Sequence, residues 1–318
     1  MAHRVQGGTT ARTESLPAPF KRYRPDILAA LRGALSRDGL PVYGMLRYAM
    51  GWADVDGNPV DAVGGKALRP TLCLLACEAV GGRPVAALPA AVSLELIHNF
   101  SLIHDDIQDR DETRHHRPTL WKVWGDPRAL IAGSTLNVLA DIALWDLVRE
   151  GVAVQRALEV GRLLARSYLT MIEGQYLDIS FEGRLDVGMN DYLDMVSKKT
   201  GALIQCAMHL GALIGTEDVA AVQALRDCGR SLGYVFQIRD DVLGIWGDEE
   251  NTGKPVGADI RRRKNTLPVV YAMSQARGPE RDLLEEVYHS ALVDDTQVAS
   301  VLAVLDRLGS REFADDLV

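Results

Sequence analysis

Long apolar stretches at helical spacing recur along this 318-residue chain, and they constrain its fold more than any other feature. Segments such as "AAVSLELIHNFSLIH", "TGALIQCAMHLGALIG" and "SLGYVFQIRDDVLGIW" admit polar residues at helical intervals and not at every second position. Ala and Leu dominate these segments, whereas the residues that favour strands are sparse. Gly and Pro cluster between them, as in "VGGKALRP" and "WGDPR". The pattern predicts an all-α bundle of about ten or more helices.

No change in composition divides the chain, and we expect one domain over residues 21–318. Residues 1–20 are rich in Gly, Thr and Ser and are predicted to form a disordered lead-in. This segment lacks the continuous apolar region of a secretory signal. The remaining sequence has no run of about 18 uncharged apolar residues, so no membrane span is expected.

Net charge and cysteine positions narrow the class of protein. A net charge of −8 disfavours a nucleic-acid-binding protein, which usually presents a basic face. Cys73 and Cys77 would share one helix face in "RPTLCLLACEAV", which favours two small core residues over a metal pair. Together with Cys206 and Cys228 they are typical of a reduced, cytoplasmic protein.

The stretch "SLIHDDIQDRDETRHHRP", residues 101–118, places three carboxylates directly after an apolar run. At about 100° per residue, His98, Asp105 and Asp109 fall within about 40° of one another on a helix, with Asp106 beside them. Carboxylates beside a core repel each other and lose hydration, which is costly unless a counter-charge is present. The question is what supplies that charge.

A second acidic pair, Asp240 and Asp241, follows the apolar run of "GYVFQIRDDVLGIW", and Gln237 lies one turn earlier on the same face. Adjacent Asp pairs also occur at 294–295 and 315–316, so a pair alone is uninformative. The clusters at 105–109 and 240–241 differ from these two control pairs. Each follows a long apolar run and precedes a basic, Gly-rich segment.

Two acidic clusters on separate helices can face each other across a bundle, where metal sites are commonly built. The ligands are all oxygen, and no Glu-x-x-His pair or supporting cysteine accompanies them, so Mg²⁺ or Mn²⁺ fits better than zinc or iron. Mg²⁺ completes its shell with water and substrate phosphate. The alternative is two exposed acidic helix ends.

Cations adjoin the same apolar helices and Gly-containing turns. Any one of them is more often a solvated surface group, but the combination implies a ligand with more than one phosphate. They are Lys66, Arg69, Arg114, Arg117, Lys198, Lys199, Lys254 and the run Arg261 to Lys264.

The sequence resembles the trans-isoprenyl diphosphate synthase (polyprenyl synthetase) family. "DDIQD" is similar to the first aspartate-rich motif, and "GGKALRP" and "ELIHNFSLIHDD" are similar to the segments that precede it. "EGQYLDI", "KKTGAL", "FQIRDD" and "TGKP" follow in matching order, over residues from about 60 to about 275. The resemblance implies an all-α isoprenoid synthase fold around a central cavity, a homodimer, and three Mg²⁺ ions, with Mn²⁺ as a substitute.

The implied reaction condenses an allylic diphosphate with isopentenyl diphosphate to a short-chain all-trans prenyl diphosphate. By matching position, the metal ligands would be Asp105, Asp106, Asp109, Asp240 and Asp241. The allylic diphosphate would be held by Arg114, Lys199 and Lys254. Isopentenyl diphosphate would be held by Lys66, Arg69, His98 and His115. The reacting region would be lined by Lys199, Thr200 and Gln237.

Four positions depart from the family pattern. His115 stands where a second arginine is usual, and a largely neutral imidazole without a bidentate fork predicts weaker or pH-dependent isopentenyl diphosphate binding. Arg117 is a candidate replacement for that arginine. Gly244 ends "DDVLG" where the second motif usually has Asp, which predicts a weakened ligand set. Ala67 and Ser134 replace a common Arg and a frequent Asp.

Residues just before the first motif set product length in this family. Phe100 is a large plug five residues before Asp105, and Ser101 is small at four before, as in short-chain synthases. This favours geranylgeranyl diphosphate over farnesyl diphosphate. The alternative for Phe100 is an ordinary core aromatic.

Two other functions compete with elongation. A terpene synthase-like enzyme would ionise an allylic diphosphate without elongating it, which His115 favours and the retained Lys66, Arg69 and His98 oppose. A non-catalytic subunit would support an active partner, which the retained acidic residues and lysines oppose.

Overall fold

The computed structural model describes residues 17–37, 39–60, 65, 67–247 and 255–318. Two of the predicted substrate-binding residues, Lys66 and Lys254, lie outside the described residues, as do residues 1–16 of the expected lead-in. The first helix begins at Ala18, within the segment assigned to that lead-in. The division into a lead-in and one domain stays a prediction.

The all-α prediction is confirmed. The α-helices of the described residues are α1 Ala18–Ala34, α2 Pro41–Ala49, α3 Leu68–Ala79, α4 Pro84–Gln108, α5 Leu120–Trp124, α6 Asp126–Leu144, α7 Val154–Phe181, α8 Met189–Val196, α9 Ala202–Gly215, α10 Val219–Trp246, α11 Ala258–Arg261, α12 Leu267–Gln275, α13 Pro279–His289, α14 Asp295–Arg307 and α15 Ser310–Asp316. A 3₁₀ turn covers Trp145–Leu147, and a π-helical turn covers Ser197–Gly201. A two-stranded antiparallel hairpin joins β1 Thr113–Arg114 to β2 Arg117–Pro118.

Local sequence signals explain where the site-bearing helices begin and end. Pro84 opens α4 in the first turn, where its missing N–H leaves no donor unsatisfied, and Asp109 is the C-cap of that helix. Asp218 caps α10 by accepting from Ala220 N and Ala221 N. Asp294, from one of the control pairs, forms a capping box at the start of α14. That pair therefore has an ordinary structural role.

The largest apolar cluster packs α3 against α9 and α4 against α6. A smaller one lies beneath the acidic residues of α10, where Tyr192, Val196, Ile238 and Leu267 are buried. Because α4, α7 and α10 pack on these clusters, their polar ends are held at fixed positions.

The π-helical turn Ser197–Gly201 contains Lys199 and packs against both α7 and α10. A Cβ atom added at Gly174 of α7 would lie only 2.6 Å from the backbone carbon of Lys198. One added at Gly233 of α10 would lie 2.7 Å from Gly201 Cα. Both glycines therefore permit backbone contact with the turn, and turns of this kind are frequent at functional sites.

Two helices in the described ranges are long and apolar enough to cross a membrane by length and composition alone, and the expectation of no membrane span stays a prediction. In α4 the apolar window is 67% buried inside the protein, as in a core helix. The window that begins at Asp126 and covers α6 is only 44% buried, so one face of α6 is apolar and exposed.

The first prediction concerns Gly174. Because alanine at this position would collide with the backbone of the π-helical turn, Gly174→Ala should destabilise the protein by about 1–3 kcal/mol. Calorimetry should then show a lower Tm. Gly33→Ala is the matched control, since a Cβ there meets nothing within 4 Å. Equal Tm values for the two variants would contradict the close approach.

Candidate active site

Three carboxylates crowd the C-terminal end of α4. Asp106 is buried, Asp105 is partly buried and Asp109 is exposed at the cap. Loss of hydration raises the pKa of Asp105 to about 6, and the neighbouring Asp109 adds to this effect while Lys199 opposes it. The negative end of the helix macrodipole makes the position still less favourable for anions. This end of α4 therefore attracts cations.

Asp106 is engaged by Arg114, whose Nη2 and Nε lie 2.7 and 2.8 Å from its Oδ1. Burial raises the pKa of Asp106, and the Arg114 guanidinium opposes that effect. Arg114 lies on β1, so this ion pair also attaches the hairpin to α4. The carboxylate predicted as a metal ligand thus already has a cationic partner.

Asp178 on α7 completes the acidic group, and sequence reasoning did not select it. It forms a short ion pair with Lys199 of the π-helical turn. Burial alone would raise the pKa of Asp178, but Lys199 and Lys264 outweigh it and the pKa is lowered. The available signal was its place in "EGQYLDI", one helical turn after Gly174 on the same face of α7.

A chain of hydrogen bonds runs from the π-helical turn into the core. Thr200 Oγ1 donates to Gln237 Oε1 at 2.5 Å, and Gln237 Nε2 donates to Asp241 Oδ1 at 2.9 Å. Asp241 Oδ2 accepts from the Tyr192 hydroxyl and from Leu267 N. The orientation of the Gln237 amide is therefore fixed on both sides.

Asp241 and Asp240 consequently differ in role. Asp241 is buried and both of its oxygens accept hydrogen bonds, so it anchors Gln237 and the start of α12, while its metal ligation stays a prediction. Asp240 is exposed and contributes to the electrostatic field at Lys264 and at Arg69. Adjacent helical residues point about 100° apart, which separates the two carboxylates.

Lys264 is a second cation that the sequence reasoning left in a basic run without a role. Burial alone would lower its pKa, but the carboxylates of Asp259, Asp241, Asp178 and Asp240 outweigh burial and raise it. Lys264 lines a cavity of about 20 Å³ together with Lys199, Thr200 and Gln237. This volume holds about one water molecule. Lys199 and Lys264 therefore have the carboxylates of this cavity, and little water, as neighbours in the free protein.

A larger cavity, of about 190 Å³, is lined by Asp106, His98, Arg114, His115 and Arg117. Burial keeps the pKa of His98 well below its ordinary value, and Arg69 and Arg114 add to the effect. His98 is therefore a neutral hydrogen-bonding group. The cavity combines two arginines, the carboxylates of Asp106 and Glu95, and a neutral imidazole, and its hydrogen-bond donors suit an anion.

Arg69, predicted to bind the second diphosphate, is placed beside this cavity. Burial lowers the pKa of Arg69, although Glu95 and Asp240 oppose the effect. Its Nε is buried and has no hydrogen-bond partner within the described part of the chain. A buried guanidinium with an unused donor is expected to bind an acceptor such as a phosphate oxygen.

His115 and His116 form the two-residue loop of the hairpin, with φ of 50° and 60°. Tight hairpins of this type require positive φ at both loop residues, and His adopts such values more readily than most residues. His115 is exposed and lines the larger cavity. Its effect on isopentenyl diphosphate binding stays a prediction.

Arg117 lines the larger cavity, but its guanidinium is already engaged by neighbouring groups, and its role as a replacement for the missing arginine stays a prediction. Its Nη1 donates to Tyr48 O at 3.2 Å, its Nη2 donates to Ala53 O, and the guanidinium lies 4.1 Å from the centroid of the Tyr48 ring. These contacts attach the hairpin to α2. Ser134 lies on the exposed face of α6 with Ile131 and Val138, away from both charged cavities.

The two chain-length candidates lie on α4 before the acidic group. Phe100 is buried, and its ring meets the His104 ring edge-on with centroids 5.0 Å apart. Ser101 Oγ donates to His98 O at 2.8 Å. Neither residue is among those described as lining the two charged cavities, so their role in product length stays a prediction.

Within the described ranges, no three His, Cys, Asp or Glu side chains converge closely enough to hold a metal ion by themselves. The carboxylate oxygens of Asp105, Asp109, Asp178 and Asp240 nevertheless suit a hard cation. Mg²⁺ fits this arrangement when water and phosphate oxygens complete its shell. The residues therefore match an ion that arrives with a diphosphate.

A family model described as polyprenyl synthetase matches residues 59–305. The chain belongs to the polyprenyl synthetase family.

Similar proteins agree with this membership. The (2E,6E)-farnesyl diphosphate synthase of Mycobacterium tuberculosis is 42% identical over 273 residues, covering 85% of this chain and 75% of the relative. A geranylgeranyl diphosphate synthase of the same organism is also 42% identical, over 257 residues that cover 81% of this chain and 72% of the relative. The crystal structure of a polyprenyl synthetase from Streptomyces coelicolor A3(2) superposes with a TM-score of 0.86 at 40% identity, covering 94% of this chain and 89% of the other.

The second prediction follows from the raised pKa of Asp105. Because the folded state holds this proton to about pH 6 and an unfolded Asp only to 3.8, the folded state loses stability as the pH rises through this window. The loss is complete above about pH 6 and amounts to at most about 3 kcal/mol. In metal-free buffer, Asp105→Asn should therefore raise the Tm at pH 7.5.

The advantage of Asp105→Asn should shrink as the pH is lowered to 4.5, which a series of thermal melts would measure. Asp194→Asn is the control, because Asp194 forms only an exposed ion pair with Lys198. A lower Tm for Asp105→Asn at pH 7.5 would contradict the assignment of Asp105 as a destabilising anion.

Proposed function

We propose that this member of the polyprenyl synthetase family is a trans-prenyltransferase. It condenses an allylic diphosphate with isopentenyl diphosphate and releases pyrophosphate. The observation that carries the proposal is the acidic end of α4, whose carboxylates meet two separate groups of cations. Lys199 acts electrostatically on Asp105, and Arg114 is paired with Asp106 beside the cavity of about 190 Å³. Diphosphates bound by these two groups would be neighbours.

Lys199 and Lys264 would bind the allylic diphosphate. Both ammonium groups lie among carboxylates, and a doubly charged diphosphate would compete for them, opening the Lys199–Asp178 pair. When the allylic C–O bond breaks, its electrons pass to the leaving oxygen, and these fixed cations stabilise the developing charge. Lys254 is proposed to contribute to the same grip, as is Arg114, which also lines the larger cavity.

Asp105, Asp109, Asp178 and Asp240 would hold Mg²⁺, with three ions expected by resemblance and Mn²⁺ as a substitute. The ions would neutralise the diphosphate and draw charge from the breaking bond. Asp106 and Asp241 would support this set indirectly, because each is already hydrogen-bonded to a neighbour that it positions.

Thr200 and Gln237 would face the carbocation. The Thr200 hydroxyl donates its proton to Gln237, so its oxygen lone pairs remain available to stabilise a neighbouring positive charge. The alkene of isopentenyl diphosphate then attacks the cation and forms the new C–C bond, which requires the second substrate to be fixed close by. A proton leaves the resulting cation, and the released pyrophosphate is the proposed acceptor.

Arg69, His98 and Lys66 are proposed to bind isopentenyl diphosphate in the larger cavity. The unused buried donor of Arg69 supports this placement. We propose a short-chain product, geranylgeranyl diphosphate in preference to farnesyl diphosphate, because Ser101 is small where it precedes Asp105 by four residues. The similarity to both kinds of synthase at 42% identity is consistent with either length. A cytoplasmic location stays a prediction.

The third prediction tests the reaction. Farnesyl diphosphate supplied with radiolabelled isopentenyl diphosphate and Mg²⁺ should yield label in a longer prenyl diphosphate, separated by chromatography. Asp105→Ala should lower kcat at least about a hundredfold without loss of fold, because a ligand for the diphosphate-bound ion is removed. Asp194→Ala, on an exposed helix face, should remain fully active.

Loss of farnesyl diphosphate without incorporation of label would contradict elongation and favour a cyclase or hydrolase. Consumption of neither substrate would favour a non-catalytic subunit. Turnover that persists in EDTA would contradict the metal-dependent ionisation.

We also propose that the chain forms a homodimer through α6 and α7. Apolar side chains are exposed at helical spacing on α6, with Ile131 60% and Val138 56% accessible, and Leu169 and Tyr176 extend the surface onto α7. A groove of about 420 Å³ lies on the α6 part of this face. Such an apolar face is typical of an obligate interface.

The fourth prediction tests this dimer. Ile131→Glu with Val138→Glu should convert the dimer to a monomer in light-scattering chromatography, because charges would be buried in the interface. Leu292→Glu is the matched control, since Leu292 is 88% exposed outside this face. A wild-type protein that is monomeric at micromolar concentration would contradict the proposal.

A further inference from the structure

Gly244 stands in α10 where the family pattern has the last aspartate of the second acidic motif. Glycine inside a helix is unfavourable relative to alanine, because it loses more backbone freedom on folding. The expectation from sequence was a weakened set of ligands. The structure instead shows what occupies the space that a side chain at residue 244 would take.

The carboxylate of Asp259 occupies the space beside Gly244. A Cβ atom added at Gly244 would lie 2.6 Å from Asp259 Cγ and closer still to Oδ2. Atoms cannot lie this close together, so a side chain at residue 244 would displace the partly buried Asp259 carboxylate. Glycine at residue 244 is therefore compatible with the observed position of Asp259.

The backbone on the N-terminal side of Asp259 is tied to α10. Gly257 N donates to Ile245 O at 3.0 Å, which attaches the start of α11 to the residue that follows Gly244. Gly257 itself packs against Val298 of α14, with φ of +74° and no room for a side chain. This fixed turn therefore holds Asp259 next to α10.

The backbone on the C-terminal side of Asp259 is tied to Lys264. Lys264 N donates to Asp259 O at 3.0 Å, and Arg263 N donates to Ile260 O at 2.8 Å. This pair of bonds is a Schellman motif, in which Arg263 takes the left-handed conformation usual for glycine, with φ of 54°. One closed turn therefore presents both Asp259 and Lys264.

Asp259 also acts on Lys264 electrostatically. Burial would lower the pKa of Lys264, and Asp259 is foremost among the carboxylates that outweigh burial. We propose that Asp259 supplies, from α11, the carboxylate that the second acidic cluster lacks at residue 244, and that it positions the Lys264 ammonium at the diphosphate cleft. Asp259 is thus a positioning residue that acts through Lys264. This inference rests on the proposed function.

The fifth prediction is an exchange of the carboxylate between the two positions. Gly244→Asp restores the family motif but forces Asp259 aside, so it should lower kcat/KM at least about tenfold. Asp259→Ala should have a loss of similar size. In the double variant Gly244→Asp/Asp259→Ala, the vacated space accepts the new carboxylate, and activity should return to within about threefold of the wild type.

The Asp259→Asn variant removes the negative charge at residue 259 and keeps the shape of the side chain. It should keep the Tm of the free protein but raise the KM for the allylic diphosphate, because Lys264 loses the carboxylate that orients it. The thermal shift produced by Mg²⁺ with inorganic pyrophosphate gives a second readout that does not require elongation. Asp282→Asn, which removes an exposed carboxylate from the first turn of α13, is the matched control and should change neither readout.

These results distinguish a failure of the Asp259 inference from a failure of the proposed function. Improved activity or a larger thermal shift for Gly244→Asp would overturn the inference, as would an Asp259→Asn variant identical to wild type. Additive losses in the double variant would overturn the exchange. A wild-type protein with no thermal shift and no turnover would overturn the proposed function and this inference together.

Discussion

The accumulation of negative charge between α4, α7 and α10 is the constraint on which the rest of the structure depends. Asp105 and Asp109 lie at the unfavourable end of the α4 dipole, and loss of hydration holds the pKa of Asp105 near 6. Two lysines offset this charge in the free protein, and both come from irregular backbone: Lys199 from a π-helical turn, Lys264 from the Schellman turn after α11. Regular helices pack around these turns, and glycines permit the contact.

The same constraint separates two kinds of carboxylate. Asp106 and Asp241 are buried and hydrogen-bonded, and each fixes the position of a functional neighbour, Arg114 or Gln237. Asp105, Asp109 and Asp240 remain more accessible and suit a cation that comes with the ligand. A site built in this way is incomplete without its anion, which agrees with the lack of any protein-only metal cage in the described ranges. Metal and diphosphate are therefore expected to bind together.

Helical periodicity was sufficient to predict the fold class and to place the acidic residues of α4 and α10 at apolar helix faces. The family resemblance supplied their proposed roles. It could not supply partners that only tertiary packing creates: Asp178 reaches Lys199 because α7 contacts the π-helical turn at Gly174. Likewise, the sequence suggests that Arg117 is available to a ligand, but its guanidinium donates to the carbonyls of Tyr48 and Ala53. In the sequence, Gly244 indicates the loss of an acidic ligand. The structure places Asp259, fifteen residues later, beside it.

The most direct test of this account is to count bound Mn²⁺ by electron paramagnetic resonance, with and without inorganic pyrophosphate. Because the carboxylates form no complete cage alone, the account predicts weak Mn²⁺ binding to the free protein and tight binding, of up to three ions per chain, once pyrophosphate is present. Tight Mn²⁺ binding that does not depend on pyrophosphate would contradict it, as would tight pyrophosphate binding in the absence of any divalent ion.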